Sequence, residues 1–199
     1  LQGVIKSTFP SWIPKTDEER IQSSPWILEQ YPDVEVYITE KLDGCSTTVY
    51  LKDGEFGVCS RNLDLLETPE NTYLQIARRD QLEEKLRQLN KNIAIQGELV
   101  GPGIQKNKYQ LTDRCFYVYN IYDIDAHKYY TFQDASDLVH QIGMYFVPGV
   151  APSMKLGELG NLESLIKYSD QPSLLNDKIS REGIVIRSVQ NMEIHRYGR

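Results

Sequence analysis

Between Val34 and Cys59 the chain passes through three β-type segments separated only by turn residues, which confines it to a fold built on closely connected strands. Val34, Val36 and Ile38 alternate with Glu35, Tyr37 and Thr39, the period of a strand with one buried face. The run from Cys45 to Leu51 is rich in Thr, Val and Tyr, and Asp53-Gly54 supplies a turn into a third strand at about 55–60. Where the first strand ends stand Lys41, Leu42, Asp43 and Gly44. A lysine ammonium, with an ordinary pKa of about 10.4, is a poor nucleophile. A neighbouring metal or cation favours the neutral amine, which can attack phosphorus or carbonyl carbon. An aspartate two residues along a strand projects from the lysine's face, where it can bind a metal or a ribose hydroxyl. Gly44 lets a ligand approach the backbone. The same string also suits a plain surface turn, and by chance it arises in roughly a few per cent of chains this long.

The rest of the chain fills in a mixed architecture. Residues 1–14 carry Pro10 and Pro14 and read as irregular. Thr16 is placed to cap a short helix with Asp17, Glu18 and Glu19 in its first turn, and a second short helix is expected at about 25–30. From Asn71 to Leu89, apolar Tyr73, Leu74, Ile76, Ala77, Leu82, Leu86 and Leu89 are expected to form one helical face. Strands are expected at 93–100, 115–123 and 183–189, and helices near 132–142 and 161–168. The strands of 34–60 read as a β-meander, and the whole as α+β with mainly antiparallel sheets flanked by helices.

With 199 residues the chain can build one domain with a sizeable core, and neither repeat nor linker divides it. It opens without a signal-peptide pattern, and no apolar run reaches membrane-spanning length. A net charge of −6 argues against a surface dedicated to coating nucleic acid, while leaving room for a local basic groove. Cys45, Cys59 and Cys115 are odd in number and lack C-x-x-C spacing, which points to reduced packing thiols in an intracellular protein. His127, His140 and His195 have no ligand spacing.

Further polar groups stand at strand ends or in tight loops. Ser60-Arg61-Asn62 follows the third strand, and Arg61 can fork onto a phosphate or cap a turn. Glu98 lies in an apolar strand, where a carboxylate requires a partner or a metal. The Gly101-Pro102-Gly103 loop beyond it brings Lys106 and Lys108, suited to phosphate contact. Phe116-Tyr117-Val118-Tyr119 is aromatic on a strand, and Glu182-Gly183 precedes the apolar run Ile184-Val185-Ile186 before Arg187. Singly, each has an ordinary structural explanation.

In order, the set Glu40-Lys41-Leu42-Asp43-Gly44, Ser60-Arg61-Asn62, Gly97-Glu98, Phe116 to Tyr119 and Glu182 to Arg187 resembles the covalent nucleotidyltransferase superfamily. The run Gly97 to Asn107 is similar to ATP-dependent RNA ligases of the double-strand, nick-sealing type, and Phe9 to Arg20 to the branch with an N-terminal OB domain. The resemblance implies a nucleotidyltransferase (ATP-grasp-like ligase) core spanning 1–199, a fragment lacking the OB domain and the closing K-x-K motif. Arg187, His195, Arg196 and Arg199 lack that K-x-K spacing, and Met192 to Arg199 reads as the approach to an unfinished strand. It implies that Lys41 takes AMP from ATP as a covalent lysyl-AMP, passes it to an RNA 5′-phosphate, and that a 3′-OH then seals the strand. Asp43, Glu98 and Glu182 would hold hydrated Mg²⁺ or Mn²⁺. Glu40, Gly44, Arg61, Tyr119 and Arg20 complete the implied nucleotide site, with Arg61 on ribose or phosphate, Tyr119 on adenine and Arg20 on the leaving pyrophosphate. The implied partner is RNA, as a nicked duplex, and the implied state is a monomer away from membranes. The rival classes are a DNA ligase, a GTP-using mRNA capping enzyme, and a non-catalytic nucleotide-binding module.

Overall fold

The computed structural model describes residues 3–191, so His195, Arg196, Arg199 and the strand approach expected at 192–199 lie outside the described residues. In chain order the elements are β1 (Ile5–Thr8), α1 (Ile27–Gln30), β2 (Glu35–Lys41), β3 (Cys45–Lys52), β4 (Glu55–Cys59) and β5 (Leu63–Leu65). They continue with α2 (Thr72–Arg79), α3 (Leu82–Gln88), β6 (Ile93–Val100), β7 (Cys115–Asp123), β8 (Lys128–Tyr129) and α4 (Phe132–Gln141). The last are β9 (Tyr145–Phe146), β10 (Gly149–Lys155), α5 (Leu162–Ser169) and β11 (Gly183–Ser188). The expected α+β class with mainly antiparallel strands is what the fold adopts.

The strands divide between two sheets. The larger runs β1-β5-β4-β3-β6-β7-β8 with β9 added in parallel to β7, and the smaller runs β10-β2-β11, antiparallel throughout. The expected meander is therefore broken at its first joint, because β2 and β3 lie in different sheets. The chain changes sheets over Leu42, Asp43 and Gly44, which ends the strand at Lys41 and takes Asp43 out of the same-face relation. Gly44 makes the crossing possible: a Cβ there would stand 2.3 Å from the Leu99 carbonyl oxygen and 2.7 Å from Val100 Cγ1. The close approach is to β6 of its own chain.

Period-2 alternation in β6 sorts its side chains. Ile93, Ile95 and Leu99 join Val49, Leu51, Val58 and Val118 in a core covered by Leu74, Ala77, Leu82 and Leu86 of α2 and α3. Glu98 falls on the opposite face, with Ala94 and Val100, which belong to other clusters. A second core joins Val36 and Ile38 of β2 to Leu28, Leu156, Leu159 and Leu165.

Two helical expectations change. The single helix over 71–89 is two, broken where Gln81 takes a left-handed conformation at φ 53°. On a straight helix Leu82 and Leu86 would lie roughly a third of a turn round from Leu74 and Ala77. The break brings both pairs onto one core. The helix expected after Thr16 does not form: residues 15–20 are without helix, Arg20 is extended, and only a single 3₁₀ turn follows at Ile21–Ser23. Thr16, Asp17 and Glu18 are instead bonded to Tyr119, Arg61 and Arg187 from elsewhere in the chain. The strands unforeseen in the sequence are β1, whose four residues are all exposed, the two- and three-residue β5, β8 and β9, and β10, an edge strand carrying Pro152.

Asn71 opens α2 as a fully buried cap. Its Oδ1 accepts from Tyr73 N at 3.0 Å and Leu74 N at 3.2 Å, and its Nδ2 donates to Leu66 O at 2.9 Å. Asn71→Ala removes all three bonds and is expected to cost about 1–2 kcal/mol in urea unfolding. An unchanged midpoint would show that α2 does not depend on this cap.

Candidate active site

The two sheets enclose a cavity of about 670 Å³ whose wall includes residues from β2, β3, β6, β7 and β11. That volume suits a nucleotide-sized ligand, since small-molecule sites run to roughly 300–1,000 Å³. Strand register fixes its reactive end. β2 is central in the small sheet, and β11 pairs with it so that Gly183 lies opposite Lys41. Glu182, one residue earlier, is thereby brought to Lys41, and its Oε1 accepts from the ammonium. In the large sheet β3 and β6 place Glu98 opposite Ser46, where Glu98 Oε1 accepts from Gly44 N at 3.2 Å. Burial pushes the Glu98 carboxyl up to about 7. The charges of Glu182 and Asp43 add to this, against the Gly44 N–H and Lys41. Asp43 is fixed by its backbone, whose N–H donates to Tyr109 Oη at 2.7 Å, while its carboxylate stands 4.0 Å from Lys108 Nζ. Among the described residues no three His, Cys, Asp or Glu side chains converge closely enough to hold a metal ion directly.

Deeper in the wall, Glu40 is 1% exposed. Its Oε2 accepts from Leu174 N at 2.7 Å, but its Oε1 is buried with no partner. An unsatisfied buried carboxylate oxygen costs free energy unless a ligand supplies the donor. Tyr119 also lines the cavity, its hydroxyl held by Thr16 Oγ1 at 3.0 Å and Ser46 Oγ at 3.3 Å. Burial pushes that hydroxyl's pKa up, keeping its proton for hydrogen bonding. Arg187 donates to Tyr119 O at 3.1 Å, pairs with Glu18, and its guanidinium carbon lies 5.6 Å from the centre of the Tyr119 ring. Arg61 is exposed and bonded to Asp17 at 2.6 Å. Arg20 lines the cavity and is exposed, with no paired carboxylate among the described residues.

All of Arg20, Glu40, Lys41, Asp43, Gly44, Arg61, Glu98, Tyr119 and Glu182 thus line one cavity. Sequence reasoning overlooked Thr16, Glu18 and Ser46, and gave Arg187 no part in the site. Arg187 had a usable signal, being a charged residue at a position whose strand neighbours Ile186 and Val185 are apolar.

A strand-end lysine thus stands with carboxylates from both sheets in a nucleotide-sized cavity that also has an aromatic side chain in its wall. The profile of the RNA ligase family matches residues 34–198, and the chain belongs to that family. Among solved structures it is similar to the RNA ligase of Naegleria gruberi. A lysine-to-alanine variant of that protein with ATP and Mn is 38% identical, with a TM-score of 0.90, covering 95% of this chain and 57% of that one. A lysine-to-methionine variant with AMP and Mn is 38% identical with a TM-score of 0.89, covering 95% of this chain and 56% of that chain. The same ligase with PPi is 39% identical with a TM-score of 0.89, at the same coverage of 95% and 56%. The chain therefore spans just over half the length of these relatives. No curated protein matches it.

The raised Glu98 carboxyl gives stability a direction with pH. The native state keeps the proton up to about 7, whereas an unfolded glutamate releases it near 4.5. The native state then binds more protons between those values, and stability falls as pH rises through this window. In metal-free buffer with chelator, the loss is expected on the order of 2 kcal/mol, and Glu98→Gln should flatten it. Equal slopes in urea midpoint against pH for both proteins would refute the assignment.

Proposed function

We propose that this chain is the adenylyltransferase core of an ATP-dependent RNA ligase. The observation carrying the proposal is the placement of Lys41, held by Glu182, in one cavity with Asp43 and Glu98, whose wall also offers Tyr119 and Glu40 with its unpaired carboxyl oxygen. The relatives bound to ATP, AMP, Mn and PPi support it, since those are the substrate, transferred group, metal and leaving group of this reaction.

In the proposed reaction the neutral amine of Lys41 attacks the α-phosphorus of ATP. The bond to pyrophosphate breaks, the pyrophosphate leaves, and a phosphoramidate joins Nζ to AMP. An RNA 5′-phosphate then takes the AMP from Lys41, and the attack of a 3′-OH on that activated phosphate releases AMP and closes the strand, as a nick in a duplex. Glu40 Oε1 accepts a hydrogen from the adenine amino group, filling its vacant bond. Tyr119 provides the flat surface on which the base stacks. Gly44 keeps the catalytic turn against β6, Arg61 leaves Asp17 for the ribose or phosphate, and Arg20 meets the departing pyrophosphate.

The donor set fits a hard divalent cation, because Asp43, Glu98 and Glu182 offer carboxylate oxygens around one lysine and a metal could be held through water. When bound, Mg²⁺ or Mn²⁺ supplies positive charge that favours the neutral amine and offsets charge on the phosphate. Glu182 is placed to exchange the ammonium pair for this role, freeing Lys41.

Incubation with α-labelled ATP and Mg²⁺ or Mn²⁺ should leave label on the protein, stable to denaturation and released by acid as expected of a phosphoramidate. Lys41→Ala should reduce labelling by at least about 10³-fold, the scale on which a lost nucleophile acts. Label that survives Lys41→Ala rules out Lys41 as the nucleophile. Labelling from GTP in preference to ATP favours the capping-enzyme class instead.

A further inference from the structure

The segment from Lys15 to Arg20 lies without helix along one side of the cavity, and its first four side chains are bonded to distant parts of the chain. Lys15 donates to Asn62 at 3.1 Å, Thr16 meets the Tyr119 hydroxyl at 3.0 Å, Asp17 accepts from Arg61 at 2.6 Å, and Glu18 pairs with Arg187. The Asp17–Arg61 pair lies in the open, with side chains 66% and 69% exposed, and contributes little to stability. The Glu18–Arg187 pair is different, because the Arg187 side chain keeps only 17% of its surface. A guanidinium that deep in the protein needs a charged partner, and removing the partner leaves a buried charge uncompensated. Glu18 is the one carboxylate paired with it among the described residues.

What Arg187 holds gives the pair its consequence. Its guanidinium lies 5.6 Å from the Tyr119 ring centre, and its Nη1 donates to the Tyr119 carbonyl oxygen at 3.1 Å. Tyr119 is therefore fixed at both ends, by Thr16 and Ser46 at the hydroxyl and by Arg187 at the ring and backbone. We propose that Glu18 is a positioning residue for nucleotide binding: by anchoring Arg187, it sets the orientation of the Tyr119 ring that receives the base. This rests on the nucleotide reading of the cavity. Glu18 lines the cavity, but its carboxylate is paired with Arg187, and its effect is exerted through that residue. Without the carboxylate, the guanidinium keeps only neutral partners, the Tyr37 side chain and the Tyr119 carbonyl, and its hold on the ring loosens. The base then meets a surface that must be ordered again on binding.

The test uses the whole chain and AMP as the probe, with affinity measured by calorimetry for wild type, Glu18→Gln, Glu18→Asp, Arg187→Met and the double variant Glu18→Gln/Arg187→Met. Glu18→Gln is expected to weaken AMP binding about tenfold, the lower end of what removing a supporting partner of a binding group does. Glu18→Asp should recover part of that loss. The double variant should bind no more weakly than Arg187→Met alone, because the two residues act as one unit. In self-labelling, Glu18→Gln should raise the ATP concentration for half-maximal rate and retain the maximal rate, which a general loss of folding would not do. The double variant leaves no buried charge, so it reports even if Glu18→Gln is too unstable to handle. Unchanged AMP affinity in Glu18→Gln, or losses that add in the double variant, would overturn the role of Glu18 alone. Failure of the wild type to bind AMP overturns the nucleotide reading itself.

Discussion

The structure depends on the way β2 surrenders the chain to β3. A strand at the centre of a three-stranded sheet is held on both sides, by β10 and β11, so its end is a fixed point. The next three residues must cross to the larger sheet, and the space left by β6 at Gly44 admits no side chain. The crossing places Lys41 at the junction of two rigid bodies of hydrogen bonds. Each sheet then contributes a carboxylate on its own account: Glu182 through the β2–β11 register and Glu98 through the β3–β6 register. Neither depends on a long flexible loop. A site assembled from strand ends in this way keeps its geometry without spending ligand binding energy on ordering it.

The electrostatics follow from the same crossing. Three carboxylates near one ammonium would repel one another in a dry site, and the protein moderates this in different ways. Glu182 takes the ammonium of Lys41, Asp43 stays partly exposed near Lys108, and Glu98 is pushed toward its protonated form by burial. Glu40 is set apart from this cluster by its role at the wall, where one oxygen is spent on the Leu174 N–H and the other is left open.

Much of this was readable in the sequence. The strands carrying Lys41, Glu98 and Tyr119, and the one that starts just after Glu182, were visible because each has apolar residues at period two or in a continuous run. All nine expected site residues reached one cavity, since they sit at strand ends whose order was legible even where pairing was not. Pairing was the hidden part: nothing in Lys41 to Cys45 distinguishes a hairpin turn from a step between sheets until the packing at Gly44 is known. β1 has four exposed residues that leave no alternation, and β10 carries a proline and few buried residues, so neither shows a strand signal. The α2–α3 break is hidden because two short amphipathic faces, read together, look like one continuous stripe.

Residues 15–20 show why local rules failed beside the site in particular. A hydroxyl followed by acidic residues is a strong start signal for a helix, since the side chain can cap and the charges oppose the dipole. Both functions are satisfied only if those groups have nothing better to bond. Here Arg61, Arg187 and the Tyr119 hydroxyl offer Asp17, Glu18 and Thr16 partners from elsewhere in the chain. A charged pair at partial burial outweighs the few tenths to one kcal/mol (about 0.3–1) that an acidic residue contributes to the start of an exposed helix. Asp17 and Glu18, which looked like helix chemistry, are thus spent on partners from other strands and loops, and the departure from local propensity falls where the chain lines the cavity.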